Sequence, residues 1–175
     1  RKLHATAERI IRAQGNQSGR FRMRADSTLA GSLPPRGLIV ATGEDTPKGQ
    51  SLQARLVLIQ VGPGDVCVAG LSEAQASTEN GSYALAMAAF VQHLAQQADN
   101  GGLSHRLEAR RKQLRAEAIS GAHTRMPDNI ASLMVGAEEL LDFSVAAGAI
   151  TESEMGDLRV RAWEALNEQA KAQTS

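Results

Sequence analysis

The residues whose types and spacing could do chemistry are Thr42, Glu44 and Arg55. Thr42 and Glu44 close the run Leu38-Ile-Val-Ala-Thr-Gly-Glu44, in which apolar residues give way to small and polar ones. A polar loop with Pro47 and Gly49 follows, and Arg55 then opens Arg55-Leu-Val-Leu-Ile-Gln-Val61. The second run is rich in Leu, Val and Ile without alternation, the pattern of a strand covered on both faces. That layout sets a hydroxyl, a carboxylate and a guanidinium at strand ends. A guanidinium so placed can stabilise the charge that builds on phosphate oxygens during transfer. The same residues also allow a plainer arrangement, in which Arg55 caps its strand and pairs with Glu44 or Asp45.

A second group is basic. In Gly19-Arg-Phe-Arg-Met-Arg-Ala-Asp26, three arginines alternate with Phe21 and Met23. Strand period two puts Arg20, Arg22 and Arg24 on one side and the apolar pair on the other. Three guanidiniums on one face suit a phosphate backbone, where each contact adds salt-dependent affinity. An exposed strand whose arginines deter edge-to-edge pairing fits equally well. A third basic group, Arg106, Arg110, Arg111, Lys112 and Arg115, has only Leu107, Leu114 and Ala118 as its apolar seam. It reads as a solvated helix face, with Glu108 pairing to Lys112, or as a DNA contact.

Other chemistries are excluded. His4, His93, His105 and His123 stand far apart and make no metal-ligand spacing with Cys67 or a carboxylate. No Gly-x-Ser-x-Gly elbow occurs. Gly62-Pro-Gly-Asp-Val-Cys-Val-Ala-Gly70 lacks the third glycine of a dinucleotide fingerprint and the Gly-Lys-Ser/Thr of a P-loop, so it reads as a turn. With aromatics at 3%, the chain does not look like a base-stacking module.

The elements that must position these groups follow from periodicity. Residues 3–13 read as a helix with Leu3, Ala7, Ile10 and Ile11 on one face. Strands are expected over 19–26, 37–42 and 55–61. Beyond the turn at Gly62-Pro-Gly-Asp65 the texture becomes helical, over 71–77, 79–98, 104–118 and about 128–147. Thr151-Glu-Ser-Glu154 is a capping box opening the last helix. The fold expected is α+β and mostly α. Residues 1–65 should supply a partial α/β sheet of about three strands, and residues 66–175 an all-helical bundle.

Composition sets the frame. A 175-residue chain with 42% hydrophobic and 22% charged residues is long enough to bury a core and ordinary for a globular protein. No apolar run approaches the ~20 residues that span a bilayer, so no membrane role is expected. The single cysteine, Cys67, excludes an internal disulfide framework and fits a reducing, cytoplasmic setting. The sequons at Asn16 and Asn80 stand without a secretory signal. The net charge of zero is uneven. Residues 1–65 carry ten Lys/Arg against five Asp/Glu, and residues 66–175 nine against fourteen. A first part at +5 is suited to meet phosphates. The chain opens at Arg1 without a methionine, and it is expected to be part of something longer.

The segment Pro35-Arg-Gly-Leu-Ile-Val-Ala-Thr-Gly-Glu-Asp-Thr-Pro47, followed by Gly49 to Ile59, resembles the stretch after the Walker B strand in helicase-like ATPases. These are the AAA+ and superfamily 3 proteins of phages and integrating elements, often encoded beside a primase. The resemblance covers residues 1–65 best. It implies that Thr42 or Glu44 takes the sensor-1 role and that Arg55 is an arginine finger. Arg125, just before the helix that begins near Pro127, would stand in the position of a sensor-2 arginine. Residues 19–32 would occupy the place of the channel hairpin that holds DNA. Superfamily 3 proteins usually carry asparagine at sensor 1, whereas Thr42-Gly-Glu44 stands here. The resemblance implies an ATP-dependent DNA helicase or translocase that works as a homo-oligomeric ring on single-stranded DNA. ATP and Mg would be bound through a part of the protein that this chain lacks. A non-catalytic DNA-binding or assembly module of a replication protein is the alternative.

Overall fold

The computed structural model describes residues 2–19, 23–31, 33–46, 49–99, 101–119 and 124–173. The chain divides into two compact units, Arg1–Leu58 and Ile59–Ser175. Seven helices and no strand occur among the described residues: α1 (Lys2–Gly15), α2 (Gln50–Gln53), α3 (Val68–Glu79), α4 (Ser82–Asp99), α5 (Leu103–Glu117), α6 (Met126–Ala146) and α7 (Glu152–Ala172). The expected α+β fold with a three-strand sheet is therefore corrected to an all-helical one.

The reason lies in how each apolar run is flanked. Residues 37–42 follow Pro34-Pro35, which remove two backbone donors. They run irregularly, and Leu38 and Val40 are 75% and 83% exposed. A strand without a ladder partner leaves its backbone groups to water and gains no cross-strand contacts. In the second run, Arg55 belongs to the turn that follows α2. Its N–H donates to the Leu52 carbonyl at 3.0 Å, and the Leu56 N–H to the Gln53 carbonyl at 3.0 Å. These i→i−3 bonds curl the start of the expected strand, and the division between units falls within it. Ile59 and Val61 end up exposed rather than covered on two faces. Of the expected strand over 19–26, residues 20–22 lie outside the described residues; beyond them, Met23 makes an isolated antiparallel bridge to Leu29.

In the first unit α1 meets α2, and Leu52 and Ala54 are buried. Ile10, expected on the inner face of α1, is half exposed.

The second unit is built on α6, which packs against both α5 and α7. Leu114 of α5 and Ala131, Met134 and Val135 of α6 form the core. Leu107 of α5 and Ala162, Trp163 and Leu166 of α7 pack around it. Those α6 positions recur at helical spacing on one stripe, and the stripe is apolar because two helices cover it. Leu140 is half exposed. Gly148 closes α6 at φ +70°, a conformation that favours glycine, while the Ala149 N–H donates to the Ser144 carbonyl at 2.9 Å. The capping box is formed as expected. The Glu154 N–H donates to the Thr151 hydroxyl at 3.2 Å, and the Thr151 N–H donates back to the Glu154 carboxylate at 2.8 Å. That backbone bond first, and the Thr151 hydroxyl second, hold the Glu154 carboxyl below its ordinary value.

The basic face of α5 is occupied by carboxylates. Arg106 donates two parallel bonds to Glu139, at 2.6 and 2.8 Å, and a third to Gln97 of α4 at 2.5 Å. Arg110 is likewise bidentate on Glu138, at 2.8 and 2.6 Å. Arg111 bridges Glu108 and Asp128. Glu139 is buried beneath this pair, and its hydrogen bonds raise the Arg106 guanidinium above its ordinary value. Forked pairs of this kind fix the register of one helix on another more than they add net stability.

Candidate functional site

The expected chemical residues come to rest in different settings. Thr42 and Glu44 are exposed on the irregular stretch before α2. Arg55 lies against the C-terminal end of α1. Its Nη2 and Nε donate to the Asn16 side-chain oxygen at 2.9 and 3.3 Å, and its Nη1 donates to the Ser51 hydroxyl at 2.9 Å and to the Ser51 carbonyl. The aliphatic stem crosses Gly15 so closely that a Cβ there would fall 2.7 Å from the Arg55 Cδ. Only a residue without a side chain leaves room for this crossing. A cation at this end of α1 also meets the negative end of the helix dipole.

Arg12 approaches the same place. It pairs with Glu8 one turn back at 2.7 Å and donates to the Ser51 hydroxyl at 3.3 Å. Gln14 donates to the Gly37 carbonyl, drawing the extended stretch to the same helix. Arg12, Asn16, Ser51 and Arg55 thus make a polar clamp between α1 and α2. Neither Thr42 nor Glu44 belongs to it. Among the described residues no strand carries Thr42, Glu44 or Arg55, so the strand ends expected to hold them are not formed.

The clamp makes a test. Arg55→Ala should remove about 1 kcal/mol of α1–α2 docking, the net worth of exposed hydrogen bonds. Amide exchange at Leu52 and Ala54, both buried beside the clamp, should accelerate while the second unit keeps its melting temperature. Unchanged protection at both amides would mean that Arg55 does not hold the unit together.

Arg24 stands beside a tight turn. Its N–H donates to the Thr28 carbonyl at 2.8 Å, and the Ser27 N–H donates to the Arg24 carbonyl at 3.1 Å. Asp26 shapes the tip, its carboxylate accepting from the Thr28 N–H at 3.0 Å and the Thr28 hydroxyl at 2.6 Å. The hydroxyl first, then the N–H, lower the Asp26 carboxyl below its ordinary value, so the tip keeps one negative charge beside the exposed Arg24. Arg20 and Arg22 lie outside the described residues.

Arg125 belongs to the second unit, where it is exposed and stands at the N-cap of α6. A residue at the positive end of a helix can join a phosphate-binding site. A nucleotide site needs more than this. The sequence carries no P-loop, and no group of three or more His, Cys, Asp or Glu that could hold a metal occurs among the described residues.

The constellation that sequence reading missed is polar and crosses three helices. Gln97 of α4 joins His93 at 2.7 Å and Arg106 at 2.5 Å, and Arg106 joins Glu139 of α6. His93 in turn stacks against Phe143 with ring centres 5.5 Å apart. The signal lay in two matched patterns: Arg106 and Arg110 one turn apart on α5, and Glu138-Glu139 on α6. Comparison with known proteins gives no support for any family: no family model matches the chain, and neither a curated protein nor a solved structure is significantly similar to it.

Proposed function

We propose that the chain is a non-catalytic DNA-binding module in which the first unit contacts the phosphate backbone of single-stranded DNA. One observation carries this reading: the excess of positive charge lies in residues 1–65. In the helical bundle, Arg106, Arg110 and Arg111 are each committed to carboxylates, and Arg115, Arg125, Arg159 and Arg161, though exposed, belong to a stretch with nine Lys/Arg against fourteen Asp/Glu. Residues 1–65 hold ten Lys/Arg against five Asp/Glu, and Arg9, Arg24 and Arg36 are exposed there. Excess cation with exposed guanidiniums is the electrostatic footprint of phosphate binding. The arginine run at 20, 22 and 24 is the densest part of it.

The helicase reading draws less support, because Thr42, Glu44 and Arg55 stand on no sheet that could aim them at a nucleotide. No helix among the described residues is long and apolar enough to cross a membrane. The free, exposed thiol of Cys67 suits a reducing, cytoplasmic setting.

The test is fluorescence anisotropy with a labelled single-stranded oligonucleotide over a salt series. Arg20→Ala, Arg22→Ala and Arg24→Ala combined should weaken binding without base preference. The combined variant should also flatten the dependence of log K on log salt by up to ~0.7 per lost contact. A triple variant that keeps both affinity and slope would remove this strip from the site. Absence of binding by the unaltered chain at low salt would remove the function.

A further inference from the structure

One side of α4 holds the α3–α4 hairpin to the rest of the second unit. Among the described helices α3 packs on α4 alone, and it buries no residue, so the pair is kept in place through α4. Along α4 only Phe90, His93, Leu94 and Gln97 are half-buried, and the other described residues from 82 to 98 are exposed. Helical spacing sets these four on one stripe. Phe90 meets Phe143 of α6 with ring centres 5.5 Å apart, and His93 meets the same ring at the same distance. Gln97 joins Arg106 of α5 at 2.5 Å and His93 at 2.7 Å. Half of the docking stripe is therefore polar, and one of its members can take up a proton.

The direction of these hydrogen bonds fixes the state of the ring. A guanidinium only donates, so the Gln97 oxygen faces Arg106 and the Gln97 amide nitrogen faces His93. His93 Nε2 must then accept, which puts the ring proton on Nδ1. An imidazolium donates from both nitrogens and cannot close this relay. Turning the Gln97 amide over does not repair it, because its nitrogen would then face the Arg106 guanidinium. We infer that the relay from Arg106 through Gln97 to His93 is a pH-sensitive latch: neutral His93 closes it, and protonation at Nε2 releases the α3–α4 hairpin from α5 and α6. The surrounding charges leave this logic in place. Arg106 of α5 is a cation and opposes a second one beside it. Glu139 of α6 would favour one, but both of its oxygens are taken by Arg106, at 2.6 and 2.8 Å. Asp142 of α6 and Glu73 and Glu79 of α3 are exposed, so water and salt screen them. Residues 82–98 of α4 contain no Asp, Glu, Lys or Arg. Phe143 offers no lone pair to a new N–H. Release parts Phe90 from Phe143 and uncovers both rings.

The experiment is nuclear magnetic resonance on the full chain between about pH 8 and 5, the span in which imidazoles titrate. At the alkaline end, the ring nitrogen shifts of His93 should be those of the Nδ1–H tautomer, with Nε2 as acceptor. Amide exchange, corrected for its intrinsic pH dependence, reads the docking. Protection from Phe90 to Gln97 should fall about tenfold toward the acid end, as the loss of one or two hydrogen bonds requires. Met134 at the centre of α6 should keep its protection. His93→Gln retains an acceptor and does not titrate, so it should abolish the fall. A ring that carries its proton on Nε2 at the alkaline end overturns the inference, and that measurement needs no variant. So does protection of α4 that pH leaves unchanged, or a fall that persists in His93→Gln.

Discussion

Met134→Ala should destabilise the second unit by about 3 kcal/mol, the largest effect expected of any single substitution in the chain. Met134 is 1% exposed and sits in the core cluster with Leu114, Ala131 and Val135, where Leu107, Trp163 and Leu166 close the packing. Removing its thioether stem forfeits the transfer of that surface from water and leaves a cavity, because three packed helices relax only partly around it. Thermal unfolding followed by circular dichroism should show the midpoint falling by roughly 10 °C. Met134→Leu conserves volume and should lose less than about 1.5 kcal/mol. Met87→Ala, at an exposed position of α4, should stay within about 0.5 kcal/mol of the unaltered chain. A Met134→Ala midpoint that falls no further than that of Met87→Ala would mean that α6 is not the centre of the unit.

The contrast between these two methionines shows what periodicity conveys. Both sit at apolar positions of a helical repeat, and spacing alone assigns both to an inner face. Met134 is buried because α5 and α7 flank it, whereas Met87 stays 59% exposed. Whether a stripe is covered depends on the lengths and crossing of its neighbours, which no local pattern encodes. Helix ends were more legible, since caps are local chemistry. Thr151-Glu-Ser-Glu154 and Gly148 act where the sequence places them.

The first unit failed to match for a related reason. A short apolar run is compatible with a buried strand, a helix segment or an irregular stretch, and only a partner decides among them. Residues 37–42 and 55–61 read as strands because each is Leu/Val/Ile-rich. The turn closing α2 draws Arg55 into i→i−3 bonding, and the residues from 37 to 42 find no ladder. Arg55, read from the sequence as an arginine finger or as a strand cap paired with Glu44 or Asp45, meets Asn16 and Ser51 instead. Its contact with Asn16, beside Gly15, was invisible in the sequence because it joins positions 39 residues apart. The basic face of α5 reads from the sequence as solvated with Glu108 paired to Lys112, or as a DNA contact. That pair forms at 3.6 Å, but the carboxylates of α6 that meet Arg106, Arg110 and Arg111 lie outside any local pattern of α5.

Asn167→Leu should cost the second unit about 2 kcal/mol, although leucine is the more apolar residue and the site is buried. The Asn167 carboxamide joins two elements. Its oxygen accepts the Ile119 N–H at 3.0 Å, and its nitrogen donates to the Trp163 carbonyl at 2.8 Å. Ile119 follows Ala118, where the backbone leaves α5 at ψ 146°, so its N–H points away from the helix ladder and needs an acceptor elsewhere. Leucine fills the volume but offers none, leaving a half-buried donor unsatisfied. The Trp163 carbonyl is less affected, since it lies within α7 and has the intrahelical ladder available. The loss should therefore be local as well as global. Amide exchange at Ile119 should accelerate beyond what the change in overall stability accounts for, while amides at the centre of α6 follow global unfolding alone. Unaltered protection at Ile119 together with an unaltered melting temperature would show that the end of α5 is held to α7 by something other than Asn167.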